Sequence, residues 1–546
     1  MDITANVDKN TDNKNVEIFE DINSTNTDIN LVNTVNNIFN VDNNVTNVYP
    51  TNVDINNTVP NIDTNDDINN SVVNTNTPTV NINTIIIDNP PKKMLYVNCL
   101  NIMTIDWPAI KLETFMEKHI KKNFDIVSIF DIGKMDLSVY ELVIINATCL
   151  TSVITKMSDN LLFNKLCLLK NIKNIVILLH DLHDYSFSFA YNSKIIRKNR
   201  NSSIYGKKIP VLSVTLSKKI FKRFLENFNI KSLISIYDCP EFDYFNGYLT
   251  NIKNFYLINH GYSKDIFKPC SRSKKYDVLF YGCNNSVVYP LRTRLANLFR
   301  KSNIRFRTID ARENIYEKDL EEIINESWMC IACVSNYSYF VRKYLEISAC
   351  NSIVIGDINN QGYRIIGTNM VFVDRKMSDQ EILNKVNFYL TNKEIISALS
   401  FNKLKYIEKE DYESHAEKLA NICESIINNN NNQYIFKKNT ANPEYHKIMH
   451  DKKLIDIKFN IECKDVLSNI SLNKGLYVFK ITSRQINNFY VCDSDKKQLT
   501  RKETYVYDDD NKNTHYVSFY VDNETKISIP NTYVNNQFEL YNIFSK

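Results

Sequence analysis

The chain has 546 residues, of which 43% are hydrophobic and 23% are charged. It is too long for one ordinary domain of ~100–200 residues and too hydrophobic to be disordered throughout. No apolar run reaches the ~18–20 residues of a membrane helix, and Met1–Thr4 offers neither a basic residue nor an apolar stretch. We therefore expect no transmembrane segment and no signal peptide. The 12 cysteines lie mostly inside apolar segments, which favours a reducing, intracellular, cytoplasmic compartment.

Charge is unevenly distributed along the chain. Residues 1–90 contain 13 Asp or Glu and 2 Lys, a net of −11, so the remainder carries +15 to give the overall +4. The lysines of this remainder are scattered, with no long basic run, which is typical of a solvated surface rather than a nucleic-acid-binding patch. We expect no nucleic-acid partner, and the positive excess favours attraction of an anionic substrate.

Residues 1–90 form a compositionally distinct tail. Twenty-six of them are asparagine, and the segment shows neither helical nor strand periodicity. Too little apolar area is available to offset the entropy of ordering the backbone, so this Asn-rich tail is predicted to be disordered. A solubilising extension is the interpretation that we favour, and an interaction tail is the alternative.

Strands and helices alternate through two halves, residues 91–262 and 263–430. Short apolar runs predict the buried strands of the first half, namely Met94–Val97, Ile126–Phe130, Leu142–Ile145, Ile175–Leu179, Val211–Val214, Leu233–Tyr237 and Phe255–Ile258. Those of the second half are Asp277–Tyr281, Ile304–Ile309, Met329–Val334, Ile353–Ile355 and Val371–Val373. Helices are predicted between the strands, and three more close the second half. This pattern is typical of parallel sheets covered on both faces, so the predicted fold class is α/β with two doubly wound, Rossmann-like domains facing a common cleft.

The pattern changes after Asn428–Asn432, a run of five asparagines that is typical of a linker. Short strands separated by polar turns predict a small all-β sandwich over residues 433–546. We expect this accessory domain to fold independently and to serve the acceptor or the location of the protein. A chain that ends near Asn430 is then expected to retain donor chemistry.

A scarce glycine marks the start of the second half. The chain has only 9 glycines, and Gly282 lies between the predicted strand Asp277–Tyr281 and a helix that begins near Tyr289. A glycine there lets backbone N–H groups approach a phosphate, and the helix N-terminus adds partial positive charge. Arg292 follows in the first turns of that helix. An ordinary strand–helix turn is the alternative interpretation.

A polar cluster follows a strand of the first half. His180, Asp181 and His183 come directly after Ile175–Leu179, at a strand end that should face the cleft. Such side chains suit a general base or a group that orients an acceptor hydroxyl. A metal site and a surface cluster without function are the alternatives.

Several stretches of the second half occur in a recognisable order. They are Asn259–Pro269, Tyr281–Asn284, Tyr289–Leu295, Arg342–Cys350, Gly356–Asp357, Phe388–Leu390 and His415. In order and spacing they resemble the group 1 glycosyltransferases of the GT-B fold, specifically the branch that includes spore-maturation-type proteins. The resemblance covers roughly residues 94–430 and is strongest from residue 255.

The resemblance implies a nucleotide-sugar donor bound between the two Rossmann-like domains, without a metal or other cofactor. Gly282, Arg292, Arg342 and Lys343 are then expected beside the donor phosphates, and Glu346 is expected to accept hydrogen bonds from the ribose hydroxyls. From the residues alone, Glu346 has a second interpretation, which is a salt bridge to Arg342 four residues earlier. A carboxylate among apolar neighbours is costly to bury unless it is paired in one of these ways.

The sequence departs from the family pattern at two positions. Ser338 stands where many relatives have a second acidic residue, and Asn351 stands where Gly usually follows Ala-Cys. Because asparagine tolerates a left-handed backbone better than most residues, the turn is expected to survive.

Two functions from different classes follow. The leading one is an EC 2.4-type enzyme that transfers a sugar to a glycan, protein or lipid acceptor. The alternative is a non-catalytic, degenerate GT-B protein with a binding or structural role, which Ser338 and Asn351 favour. Abundant Asn, Ile and Lys indicate an AT-rich genome, such as that of a giant virus or an AT-rich protist, and a viral protein would lie in the host cytoplasm or the virion.

Overall fold

The structure is a computed structural model of the chain. It describes residues 94–98, 118–146, 149–150, 160–179, 214–237, 251–286, 288–309, 315, 317–336, 339–429, 468–483, 489–500, 502–508, 513–529 and 537–544. The predicted tail lies outside these ranges.

The first half folds around a sheet of six parallel strands. The strands are β1 (Met94–Asn98), β2 (Asp125–Ser128), β3 (Leu142–Asn146), β4 (Asn174–Leu179), β5 (Ser232–Ser235) and β6 (Asn254–Leu257). They stand in the order β2-β1-β3-β4-β5-β6, with helices α1 (Asn160–Cys167) and α2 (Val214–Asn227) on the connections. Most side chains of the central strands are fully buried, because parallel strands are covered on both faces. Val214, predicted to end a strand, begins α2 instead, and residues 211–213 lie outside the described ranges.

The second half repeats the same arrangement. Its strands are β7 (Ser273–Lys274), β8 (Tyr276–Tyr281), β9 (Phe306–Ile309), β10 (Ser327–Ile331), β11 (Ile353–Gly356) and β12 (Met370–Phe372). Its helices are α3 (Pro290–Arg300), α4 (Glu317–Asn325), α5 (Lys343–Ala349), α6 (Asn360–Ile366), α7 (Asp379–Thr391), α8 (Lys393–Ile407) and α9 (Tyr412–Ile427). The parallel sheet runs β9-β8-β10-β11-β12, which matches the order of the first five strands of the chain. The predicted fold class, with two doubly wound Rossmann-like domains, is confirmed.

The two sheets meet at the carboxyl ends of their strands. Tyr237, which follows β5, stacks on Tyr339, which precedes α5, with ring centroids 3.9 Å apart. The Gln361 side chain donates to the Ile236 carbonyl at 2.9 Å and to Asn259 Oδ1 at 3.0 Å. The crevice expected beyond the strand ends is therefore bordered by both domains.

The C-terminal β-region consists of β13 (Ser468–Leu472), β14 (Gly475–Thr482), β15 (Val506–Asp508), β16 (Thr514–Val521), β17 (Thr525–Ser528) and β18 (Gln537–Phe544). Strands β18-β14-β16-β15 form one sheet whose edge is completed by β7 of the second half, and β13 pairs with β17. One face of the sheet carries Phe479, Phe519 and other side chains of a core within the region.

The opposite face of this sheet packs on the second half. Val478 and Tyr516 belong to the same hydrophobic cluster as Trp328 and Ile396. The Tyr516 and Trp328 rings lie 6.0 Å apart in an edge-to-face arrangement. The small all-β region is present as predicted, but this shared core argues against independent folding. The boundary at residue 433 stays a prediction.

Cys330 and Cys333 are fully buried in the core of the second half. Among the helices that the structure describes, none combines the length and the hydropathy needed to cross a membrane.

Candidate nucleotide-sugar site

The candidate site lies at the topological switch point of the second sheet. In the strand order β9-β8-β10-β11-β12, the connections leave β8 and β10 toward opposite sides, and ligands of such sheets bind in the crevice beyond these strand ends. Gly282 follows β8 directly, and the loop Ala332–Asn336 follows β10. The sequence predicted that Gly282 follows a strand, and the structure shows that this strand lies next to β9 and β10.

Gly282 has a backbone conformation that other residues rarely adopt. Its φ is +84°, and a Cβ added there would collide with Lys343 Nζ. The Lys343 amine donates to the Tyr281 carbonyl and lies 4.2 Å from the centroid of the Tyr281 ring. Glycine therefore serves two purposes, since it permits the positive φ and leaves room for the lysine beside the backbone.

Arg292 spans the switch point instead of extending into solvent. Its guanidinium donates to the Cys283 carbonyl at 3.4 Å and to the Cys333 carbonyl at 3.3 Å, so it joins the loops after β8 and β10. The residue is 2% exposed, and its guanidinium carbon lies 3.6 Å from the centroid of the Tyr289 ring. This geometry indicates that Arg292 holds the loops after β8 and β10 together and places a positive charge beside the crevice. Direct contact with a donor stays a prediction.

Glu346 forms the ion pair that the sequence left as an alternative. Its carboxylate lies 2.5 Å from Arg342 Nε and accepts a hydrogen bond from the Tyr281 hydroxyl at 3.0 Å. The Glu346 side chain is 2% exposed and that of Arg342 is 21% exposed. Burial, and next the Glu346 charge, raise the pKa of Tyr281 well above its usual range, so this hydroxyl stays a donor. The Tyr281 contact was missed at the sequence level, because it joins residues 65 positions apart.

The pKa of Lys343 is strongly shifted by its surroundings. Burial, followed by the neighbouring Arg292 charge, lowers the pKa of Lys343 well below its usual range. An anion bound in the crevice would oppose both effects, because an opposite charge favours the protonated amine. The site therefore combines the guanidinium groups of Arg292 and Arg342 and the Glu346 carboxylate with a lysine amine that a bound anion would help to protonate.

Asp357 and Arg375 fix the neighbouring strand ends. Arg375 Nε donates to Asp357 Oδ2 at 2.7 Å, and the Val334 amide donates to Asp357 Oδ1 at 2.9 Å. Burial raises the pKa of Asp357, and the Arg375 charge opposes this shift. Sequence reasoning missed Arg375, because only the adjacent positions of β10, β11 and β12 bring its loop to the site.

The reason predicted for Asn351 is wrong. Among the described residues other than glycine, a positive φ occurs at Asn229, Asn429 and Lys496 and not at Asn351. Asn351 instead uses its side-chain amide, which donates to the Cys270 carbonyl at 3.0 Å and to the Glu503 carbonyl at 2.7 Å. It is therefore a hydrogen-bonding residue in an ordinary turn.

The predicted acceptor-side residues His180, Asp181 and His183 lie outside the described ranges, as does Ser338. The roles assigned to the three acceptor-side residues stay predictions. Within the part of the chain that the structure describes, no group of three or more His, Cys, Asp or Glu side chains is arranged to hold a metal ion.

Comparisons with known proteins returned solved structures only. No protein-family model matches the chain, and no curated protein sequence matches it. Among similar structures, sucrose-phosphate synthase from Thermosynechococcus elongatus is 12% identical, with a TM-score of 0.43 over 62% of this chain and 99% of that chain. HepE of Anabaena, in complex with UDP-glucose, is 10% identical, with a TM-score of 0.38 over 61% and 99% of the two chains. An α,α-trehalose-phosphate synthase from Burkholderia vietnamiensis is 9% identical, with a TM-score of 0.38 over 62% and 100%.

Proposed function

We propose that this protein is a glycosyltransferase that takes its sugar from a nucleotide-sugar donor. The carrying observation is the convergence of Gly282, Lys343 and the Arg342–Glu346 pair at the switch point of the second sheet. Two guanidinium groups beside the Glu346 carboxylate leave a positive excess, and Lys343 adds to it when a bound anion favours its protonated form, which suits the two phosphates of a nucleotide sugar. The tandem of Rossmann-like domains supports the same assignment.

Each side chain has a defined task in this proposal. Lys343 and Arg342 neutralise the diphosphate as the sugar–phosphate bond breaks, while Arg292 keeps the two strand ends in place beneath it. Glu346 accepts hydrogen bonds from the ribose hydroxyls, with Tyr281 fixing one of its oxygens. His180, Asp181 or His183 is assigned the proton of the acceptor hydroxyl, which belongs to a glycan, a protein or a lipid.

One observation favours a second candidate, a non-catalytic GT-B protein. Arg342 and Glu346 are already paired with each other, and Lys343 already donates to the Tyr281 carbonyl. A donor must compete with these internal partners. A degenerate protein would either bind nucleotides without releasing sugar or bind none.

The first experiment measures donor hydrolysis across common nucleotide sugars and binding of UDP, GDP and ADP by calorimetry. Glu346→Gln keeps the shape of the side chain and removes its charge, so we expect transfer to be lost and affinity to fall by ~1.5–3 kcal/mol, about 10- to 150-fold. Glu424→Gln, which changes an exposed carboxylate of α9, is the matched control and should leave affinity unchanged. Equal affinity of both variants would reject the ribose role of Glu346.

A second measurement separates the two candidates. His180→Ala and His183→Ala should slow transfer but leave nucleotide affinity intact. Cys283, the exposed cysteine among those that the structure describes, borders the crevice and reports occupancy without catalysis. If nucleotides protect Cys283 from alkylation while no donor is ever hydrolysed or transferred, the non-catalytic candidate is favoured.

A further inference from the structure

Among the residues that the structure describes in the second half, two lysines are buried and hydrogen-bond to backbone carbonyls rather than to an acidic side chain. Lys403 of α8 is fully buried, and Lys274 of β7 is 1% exposed. Lys403 donates to the carbonyls of Ile347 at 2.9 Å, Cys350 at 2.7 Å and Ser352. All of these acceptors are backbone carbonyl oxygens at or just beyond the carboxyl end of α5.

The carboxyl end of a helix is where such donors are needed. Its last carbonyls have no partner within the helix, and leaving them buried and unpaired is costly. Lys274 donates to the carbonyls of Ser327 at 2.7 Å and Asn351, so the segment after α5 is held from two sides. Burying a lysine is itself expensive. Two such lysines converging on one helix end indicate that the placement of α5 matters.

Asn351 extends the same network to the C-terminal β-region. Its backbone amide donates to Asn325 Oδ1 at 2.8 Å, and its side chain donates to the Glu503 carbonyl at 2.7 Å. The residue is 4% exposed. A turn that follows α5 is thus tied to a segment of the chain 152 positions away.

Helix α8 connects the β-region to α5 by a second route. Its Ser397 hydroxyl lies 2.8 Å from the Ser518 hydroxyl of β16, and Lys405 lies 3.1 Å from the centroid of the Tyr520 ring. Lys403, between these contacts, reaches α5. The C-terminal sheet therefore supports the helix that carries Lys343 and Glu346.

We propose that Lys403, Lys274 and Asn351 are positioning residues that fix α5, and that the C-terminal β-region is thereby a structural part of the donor site. This inference rests on the proposed function, because it assigns the purpose of the network to donor binding. The hydrogen bonds end at Ile347, the residue next to Glu346. A helix end released at this point would let the Arg342–Glu346 pair and Lys343 shift relative to Gly282.

The test compares Lys403→Met with Lys409→Met. Both variants remove one lysine, but Lys409 is exposed and lies just beyond the end of α8. Amide hydrogen exchange measures whether α5 is held in place without any ligand, and calorimetry with UDP, GDP and ADP, below the unfolding temperature, measures binding at the site. We expect faster exchange in α5 and an affinity about tenfold weaker for Lys403→Met, the order of one lost buried hydrogen bond, with no change for Lys409→Met.

Further variants keep the inference testable if Lys403→Met does not fold. Asn351→Ala removes only the side-chain bonds to Cys270 and Glu503 and should weaken affinity in the same direction. In a Glu346→Gln background, the loss of affinity caused by Lys403→Met should shrink, because both changes act through α5.

The outcomes are distinct. Unchanged exchange in α5, or faster exchange with unchanged affinity, overturns the positioning role. If the wild-type protein binds no nucleotide, the proposed function fails, the positioning role in donor binding falls with it, and exchange alone then decides whether the lysines hold the helix.

Discussion

Removal of the C-terminal β-region is the perturbation with the largest expected effect. A chain that ends at residue 430 loses six side chains of the core shared with the second half, which are Leu476, Val478, Val506, Tyr516, Tyr541 and Ile543. Fully burying an apolar side chain contributes ~1.5–3 kcal/mol, so this loss amounts to about 9–18 kcal/mol. That range is comparable to the ~5–15 kcal/mol by which a whole domain is stable. We therefore expect the shortened chain not to fold as a stable monomer.

The assay compares the full chain, a chain ending at residue 430 and a chain starting at residue 91. Size-exclusion chromatography and urea unfolding measure folding, and the fluorescence of Trp328, fully buried in the shared core, should shift to longer wavelength when the sheet is removed. The chain starting at residue 91 is the control and should retain nucleotide binding, because the tail lacks any core-forming pattern. A soluble monomer ending at residue 430, with an unfolding transition like that of the full chain, would refute the shared-core reasoning.

Three smaller perturbations test the site and its support. Gly282→Ala should cost ~1–2 kcal/mol of stability and weaken nucleotide binding, because φ is +84° and the new methyl group meets Lys343. Gly133→Ala, whose added methyl group would have its nearest contact at 3.3 Å, is the control. If calorimetry gives the two variants the same nucleotide affinity, the crowding of Lys343 does not affect binding. Nucleoside diphosphate binding should take up protons at pH values where the Lys343 amine of the free protein is unprotonated, because the bound anion raises the lowered pKa of Lys343; enthalpies measured in buffers of different ionisation heat detect this uptake, and Lys343→Met should abolish it. Burial lowers the pKa values of Lys403 and Lys274 to about 7, so from about pH 7 to 8.5 the unfolded chain holds protons that the folded chain has released. The contribution of Lys403 to the free energy of unfolding should therefore rise by at most about 1.4 kcal/mol per pH unit. Urea unfolding at about pH 7 and pH 8.5 measures this pH dependence. If the free energy of unfolding changes equally with pH in the wild type and in Lys403→Met, this lysine does not titrate in that range.

Local patterns in the sequence determined the fold class and one edge of the candidate site. Runs such as Leu142–Ile145 are apolar on successive positions, which is typical of a strand covered on both faces. Gly282 follows such a run, so a strand end with a special backbone was predictable from neighbours in the chain. The short strands separated by polar turns after residue 433 likewise predicted an all-β region.

Only the tertiary structure decided what those faces meet and which charges are buried. The lysines were interpreted as a solvated surface, yet Lys274 and Lys403 are buried against the end of α5, because their acceptors lie more than 50 positions away in the chain. Tyr516 contacts Trp328, which is likewise distant from it in the chain. Periodicity records whether a side chain has an apolar environment, but it does not specify the partner. Pairings such as Tyr281 with Glu346, and Asn351 with Glu503, arise only when parallel strands and the C-terminal sheet bring distant segments together.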